Sequence, residues 1–181
     1  MPQFVALLRG VNVGKAKRVP MAELRVLLAG LGYTNVTTLL NSGNAVFHSD
    51  QGTSVRHAAA IASAILEHLE VEVPVIVKSS AELVAIVSEN PVRIEASEHA
   101  RLLVAFAQVN TALPSLATIQ SLVVAPEKFE VGKHAAYLLC VPGILESKAG
   151  AALLGKVGSN VTTRNWATVL KLEALASERV A

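Results

Sequence analysis

Thr162-Thr163-Arg164-Asn165-Trp166 sets a cation, an amide and the chain's single Trp side by side. The apolar residues that follow, Val169, Leu170, Leu172, Leu175 and Ala176, have the spacing of a short amphipathic helix. A cluster at a helix start meets unpaired backbone N–H groups and the positive end of the helix dipole. Its chemistry is therefore that of an anion- or base-binding corner. The competing reading makes Trp166 a core anchor and Arg164 its solvated neighbour, because a large aromatic is usually buried. A second set lies near the N-terminus. Arg9, Asn12, Lys15, Lys17 and Arg18 surround Gly10-Val11-Asn12-Val13-Gly14, and Asn41-Ser42-Gly43-Asn44 offers amides and a hydroxyl. Cations beside such groups can hold a phosphate, a carboxylate or a nucleic-acid backbone. A solvated basic loop is the alternative.

Other chemistries are excluded or weakened. Gly10 to Lys15 has one residue too few between its glycines for a phosphate-binding P-loop, and Ala16 stands where that loop needs a hydroxyl for magnesium. One cysteine, Cys140, rules out an internal disulfide and a cysteine-based zinc cage, and it sits in an apolar strand as a core residue. The five histidines show no metal spacing, so neither a metal nor a cofactor is expected. His57 and His68 share one helix off its apolar stripe, which suits a solvated face. His134 lies at a hairpin turn with no evident third partner, and no catalytic set can be assembled.

The elements that must position these residues follow from patterning. The 181 residues are 52% hydrophobic and 17% charged, enough for a sizeable core and against disorder. The net charge of +2 is too small to argue for nucleic acid by itself. The N-terminal apolar run lacks a charged leader and reads as a first strand; nothing approaches about 18 consecutive apolar residues. No membrane association is expected, and the cytoplasm is the default location.

Phe4–Arg9 is a strand, and Met21 to Leu31 a helix entered after Pro20 and closed by Gly32. Val36–Leu40 and Ala45–His48 flank a hairpin turn. Val55, Ala58, Ala59, Ala62, Ile65, Leu66 and Leu69 form one stripe of a helix Val55–Leu69. Pro74–Lys78 is a strand, and Ser79 or Ser80 caps a helix through Val87. The order matches the split βαβ pattern of ferredoxin-like folds. It then repeats: strand Leu102–Gln108, helix Leu113–Leu122, hairpin Lys128–Val131 with Ala135–Val141, helix Leu145–Leu154, strand Val161–Thr163 and helix Trp166–Ala176. Val75–Val87 and Val161–Glu173 share an apolar pattern at one fixed offset. The expected fold is α+β, with two ferredoxin-like βαββαβ halves, each an antiparallel sheet with helices on one face. Residues 1–90 form the first half, 91–99 a linker and 100–181 the second half with its C-terminal helix.

Ala6-Leu-Leu-Arg-Gly-Val-Asn-Val-Gly14, Val19-Pro-Met-Ala-Glu-Leu-Arg25, Leu31-Gly-Tyr-Thr-Asn-Val36, Ser42-Gly-Asn44 and Thr162-Thr-Arg-Asn-Trp-Ala-Thr-Val-Leu-Lys-Leu172 resemble the bacterial domain-of-unknown-function family 1697 over nearly the whole chain. The resemblance implies an α+β protein of two similar ferredoxin-like halves and carries no established activity. The family's glycine-rich loop usually has a second glycine where this chain has Lys15, so the loop here is stiffer and bears an added cation.

In this topology the first loop and the first hairpin tip lie at one end of the sheet. Arg9, Asn12, Lys15, Lys17 and Arg18 therefore face Ser42 and Asn44 across one rim. The leading expectation is a module for a phosphate-bearing partner, a nucleotide or nucleic acid, with Arg164, Asn165 and Trp166 as a second, stacking contact. Two alternatives stand beside it. One is an enzyme acting on a small anionic metabolite; the other gives the motifs a purely structural role, locking the halves or a homodimer.

Overall fold

The computed structural model describes residues 1–178. Its elements are β1 (Gln3–Leu8), α1 (Met21–Gly30), β2 (Thr34–Leu39), β3 (Asn44–His48), α2 (Ser54–Leu69), β4 (Val75–Ser79), α3 (Ser80–Glu89), β5 (Leu102–Ala107), β6 (Lys128–Val131), β7 (Ala136–Leu139), α4 (Lys148–Leu154), β8 (Val161–Asn165) and α5 (Trp166–Ser177). Two four-stranded antiparallel sheets form, in the orders β2-β3-β1-β4 and β6-β7-β5-β8. Both have the order of a ferredoxin-like half, so the expected α+β architecture is the observed one.

The chain groups into two compact units, Met1–Ala81 with the segment from Leu172 onward, and Glu82–Lys171. The division falls inside α3 and α5. In the first unit, Phe4, Ala6, Leu8, Ala45, Phe47 and Val77 point to one face of the sheet. They pack with Leu24 and Leu28 of α1 and with Ala58, Ile61 and Ile65 of α2. Alternation along the strands sends Val5, Leu7, Val46 and Ile76 to the opposite face, where they are also buried. The end of α5 lies on that side: Leu175 and Glu178 line a small cavity with Val46 and His48, and Gln3 Nε2 donates to the Glu178 carbonyl at 3.0 Å. In the second unit, Leu103, Ala105, Leu138 and Val161 pack with Leu113, Leu116, Ile119, Ala149 and Leu153. Tyr137 points the other way, and its hydroxyl donates to the Ile86 carbonyl of α3 at 2.6 Å.

Three expectations are corrected. Leu113–Leu122 is not an α-helix but part of a 3-10 segment, Asn110–Leu122. Leu113, Leu116 and Ile119 are buried at intervals of three, while Ser115, Thr118 and Ser121 each donate to the carbonyl three residues back. Both features match a period of three residues per turn, which the sequence displays. The helix expected over Leu145–Leu154 begins only at Lys148, because the Ser147 hydroxyl accepts from Gly150 N at 2.9 Å and caps it. On α2 the inward stripe is rotated from the expected one: His57, Ala58, Ile61, Ala64 and Ile65 are buried, whereas Val55 and Leu66 are about half exposed.

That rotation puts His57 in the core instead of on a solvated face. Its ring stands edge-on to Phe4, Tyr33 and Phe47, and its Nδ1 lies 2.8 Å from the Tyr33 hydroxyl. Burial lowers the His57 pKa below the usual histidine value, partly offset by a hydrogen bond to the Gln51 backbone. Burial also raises the Tyr33 phenol.

Candidate functional site

The rim is built by one side chain more than any other. Asn12 sits in the left-handed region at φ 57°, which asparagine tolerates better than most residues. Its Oδ1 accepts from Val19 N at 2.9 Å, and its Nδ2 donates to the Val19 carbonyl at 2.8 Å and to the Asn41 carbonyl at 2.7 Å. Asn12 N also donates to the Lys17 carbonyl at 3.1 Å. One amide therefore closes the 12–19 loop and ties it to the hairpin tip. A second tie is backbone: Leu8 N donates to the Gly43 carbonyl at 2.8 Å. Gly43 has φ 81°, and a Cβ there would lie 2.6 Å from Leu8 Cβ and 2.7 Å from Val11 Cγ2. Only glycine allows the tip to approach so closely.

The first loop and the hairpin tip thus meet at one end of the first sheet. Lys15, Lys17 and Arg18 are exposed there, while Arg9 is half-buried at the end of β1. A depression of about 550 Å3 opens among Asn12, Gly14, Arg18, Pro20, Met21, Ala22 and Asn41. Its floor includes the start of α1, where Pro20 supplies no side-chain cap and the first bond of the turn runs from Leu24 N to the Pro20 carbonyl. The N–H groups of the first helical residues have no partner within the helix, so this end of the depression favours an anion. Glu23 in the same turn works against that preference. The exposed apolar tips Val13 and Leu40 flank the cations.

The predicted hydrogen-bonding residues play different parts. Asn12 is spent on holding the loop. Asn44 is buried, with Nδ2 donating to the Leu39 carbonyl and to Ser42 Oγ, both at 2.9 Å, so it shapes the hairpin. Ser42 is exposed beside it. Lys15, Lys17 and Arg18 are exposed, whereas both asparagine amides are hydrogen-bonded within the rim.

Arg164, Asn165 and Trp166 belong to the second unit. Arg164 is buried on β8 opposite Val104, not a solvated neighbour. Its Nη1 donates to Thr162 Oγ1 at 3.0 Å and to the Thr163 carbonyl at 2.8 Å, and burial pulls its pKa down to about 10. Asn165 Oδ1 accepts from Thr168 N at 2.9 Å, a side-chain cap on α5. Trp166 is buried. The helix start that looked open is therefore closed by the motif's own asparagine.

Sequence reasoning missed Lys78 and Glu89. Lys78 is 2% exposed on β4 opposite Val5, the register position that Arg164 holds on β8. The fixed offset between Val75–Val87 and Val161–Glu173 aligns these two residues, and both are buried. Glu89 accepts from Lys133 N at 2.6 Å and from His134 N at 2.9 Å, with Tyr137 Oη at 3.3 Å and His134 Nδ1 at 3.4 Å. It supplies the partner that His134 lacked in the sequence. Burial pushes the Glu89 pKa up, but the two N–H groups, His134 and Tyr137 outweigh it and hold the carboxyl below its usual value.

Two ferredoxin-like sheets, each running directly from its last strand into a helix, and a basic loop tied to a hairpin define the class of this molecule. The chain belongs to the family described as protein of unknown function (DUF1697), whose model matches residues 1–137. It is similar in fold to a solved structure, the conserved bacterial protein SP0830 from Streptococcus pneumoniae. The two share 24% identity and a TM-score of 0.79, covering 97% of this chain and 99% of that one. Among curated proteins none matches. No helix of the described residues is long and apolar enough to cross a membrane.

Proposed function

We propose that the chain is a cytoplasmic binding module for a phosphate-bearing partner, a nucleotide or nucleic acid, held at the rim of the first unit. The observation that carries this reading is the depression at the start of α1, with Arg18 on its wall and Lys15 and Lys17 on the same loop. One phosphate group takes the uncapped N–H groups and Arg18, and the flanking cations follow further phosphates. Arg9 and Ser42 extend the same rim. A depression formed by backbone and cations, without a stacking aromatic, favours phosphate over base recognition, so binding depends on salt and little on sequence.

Fluorescence anisotropy of a labelled single-stranded oligonucleotide at two salt concentrations tests the nucleic-acid form. Binding at low salt that weakens with added salt and is lost in the combined Lys15→Glu, Lys17→Glu, Arg18→Glu variant is expected. No binding at low salt sinks it. Thermal shift with pyrophosphate and nucleoside triphosphates tests the nucleotide form, since a ligand of the native state raises Tm.

A specific observation favours a structural role for Thr162–Trp166. Its cation is buried, its amide caps α5 and its aromatic is covered. On this reading the motif secures the β8–α5 junction and makes no stacking contact with the partner.

A further inference from the structure

Leu40 is held in a conformation that leucine disfavours. It stands at φ 58°, in the left-handed region, where the Cβ of an L-residue crowds the following carbonyl. Glycine and asparagine carry that conformation at little cost, and Gly43 and Asn12 hold it nearby at φ 81° and 57°. A leucine there is strained, and burial does not offset the strain, because Leu40 is 54% exposed. Val13 is 73% exposed between Asn12 and Gly14, both also left-handed. The 2.7 Å bond from Asn12 Nδ2 to the Asn41 carbonyl joins the two loops. The two apolar tips, each one residue from that bond, therefore stand at adjoining positions.

A single exposed apolar side chain is common and carries no meaning by itself. This pair is set apart by its surroundings. Lys15, Lys17 and Arg18 are exposed on the loop of Val13. Beside the other tip, Arg25 Nη1 donates to Thr38 Oγ1 at 2.6 Å, two residues before Leu40. Cations and apolar groups on two tied loops match a partner that carries phosphates and flat apolar faces side by side. A single-stranded nucleic acid has both, because its bases are unstacked next to the backbone. A duplex keeps its base faces stacked inside, and a phosphate alone gives an apolar tip nothing to cover.

We propose that the partner of the rim is a single-stranded nucleic acid whose base faces lie on Val13 and Leu40 while its phosphates meet Lys15, Lys17 and Arg18; this rests on the reading of the rim as a phosphate site. Valine and leucine have no hydrogen-bonding side-chain groups, so the contact covers apolar area on any base and adds affinity without reading sequence. Asparagine at position 40 would suit the turn better and a base worse, which separates the structural role of the position from its binding role.

Fluorescence anisotropy of the whole protein at low salt, with a labelled oligothymidine, an abasic strand of equal length and charge, and a duplex, tests the proposal. The oligothymidine should bind roughly fivefold tighter than the abasic strand, an aliphatic contact giving less than aromatic stacking. Leu40→Asn and Val13→Ser should each bring oligothymidine affinity toward the abasic value and leave the abasic strand and the duplex unchanged. The urea midpoint of Leu40→Asn should equal or exceed that of the wild type, since the substitution relieves strain. Equal affinity for the two single strands, or variants that weaken the abasic strand or the duplex as much, overturns this inference and leaves the phosphate reading standing. No binding of either strand overturns both. A lower midpoint in Leu40→Asn gives Leu40 a structural role and overturns the inference as well. So does sedimentation with phosphatidylserine vesicles that is lost in the same variants, which would make a lipid surface the partner.

Discussion

Replacing Asn12 with alanine removes three side-chain hydrogen bonds at once and leaves a residue with little tolerance for φ 57°. Each bond is worth about 1 kcal/mol net, so a loss of roughly 3 kcal/mol is expected in urea unfolding. The rim cations should lose phosphate affinity with it, although Asn12 itself donates nothing outward. Asn165→Ala deletes the α5 cap and should cost about 1 kcal/mol by the same measurement. His57 makes stability depend on pH. Its folded pKa lies below the ordinary 6.5, so below that pH the unfolded chain binds more protons than the folded one. Stability is therefore complete above about pH 6.5 and falls as the pH drops through 6.5. Comparing urea midpoints at pH 7 and pH 5.5 should show this decline, and His57→Phe should flatten it.

Gly43→Ala meets both a left-handed backbone and two overlapping side chains, so β2 and β3 must separate from β1 locally or the chain must fail to fold. Thermal unfolding should show a loss of several kcal/mol, among the larger effects of a single substitution. Glu89 joins the end of α3 to the turn between β6 and β7 through two N–H groups. Its lowered carboxyl stabilises the fold above the unfolded value near 4.5 and loses that contribution as the pH falls through its folded pKa. Glu89→Ala should speed amide exchange at Lys133 and His134 before exchange changes elsewhere. Leu113, Leu116 and Ile119 at intervals of three suit a 3-10 turn, yet over so short a run they also resemble an α-helical stripe.

For the whole molecule, a net charge of +2 leaves little long-range pull on an anionic partner, so steering must come from the local cluster. Reversing Lys15, Lys17 and Arg18 removes three phosphate contacts. The slope of log K against log salt should fall in magnitude by roughly 0.7 for each contact on a single strand. A slope unchanged by the triple variant would place the phosphate contacts elsewhere.

Patterning alone determined the two βαββαβ halves, because alternation in strands, helical spacing and the Asn41–Asn44 turn are local properties of the chain. It also determined that the first loop and the hairpin tip share one end of the sheet, which follows from strand direction. Tertiary structure decided what each polar group does there. Asn12 and Asn44 became braces, His57 entered the core, and Arg164 was buried with Asn165 capping the helix behind it. Residue type lists what a side chain can donate or accept. Only the packing around it settles which of those bonds are already made.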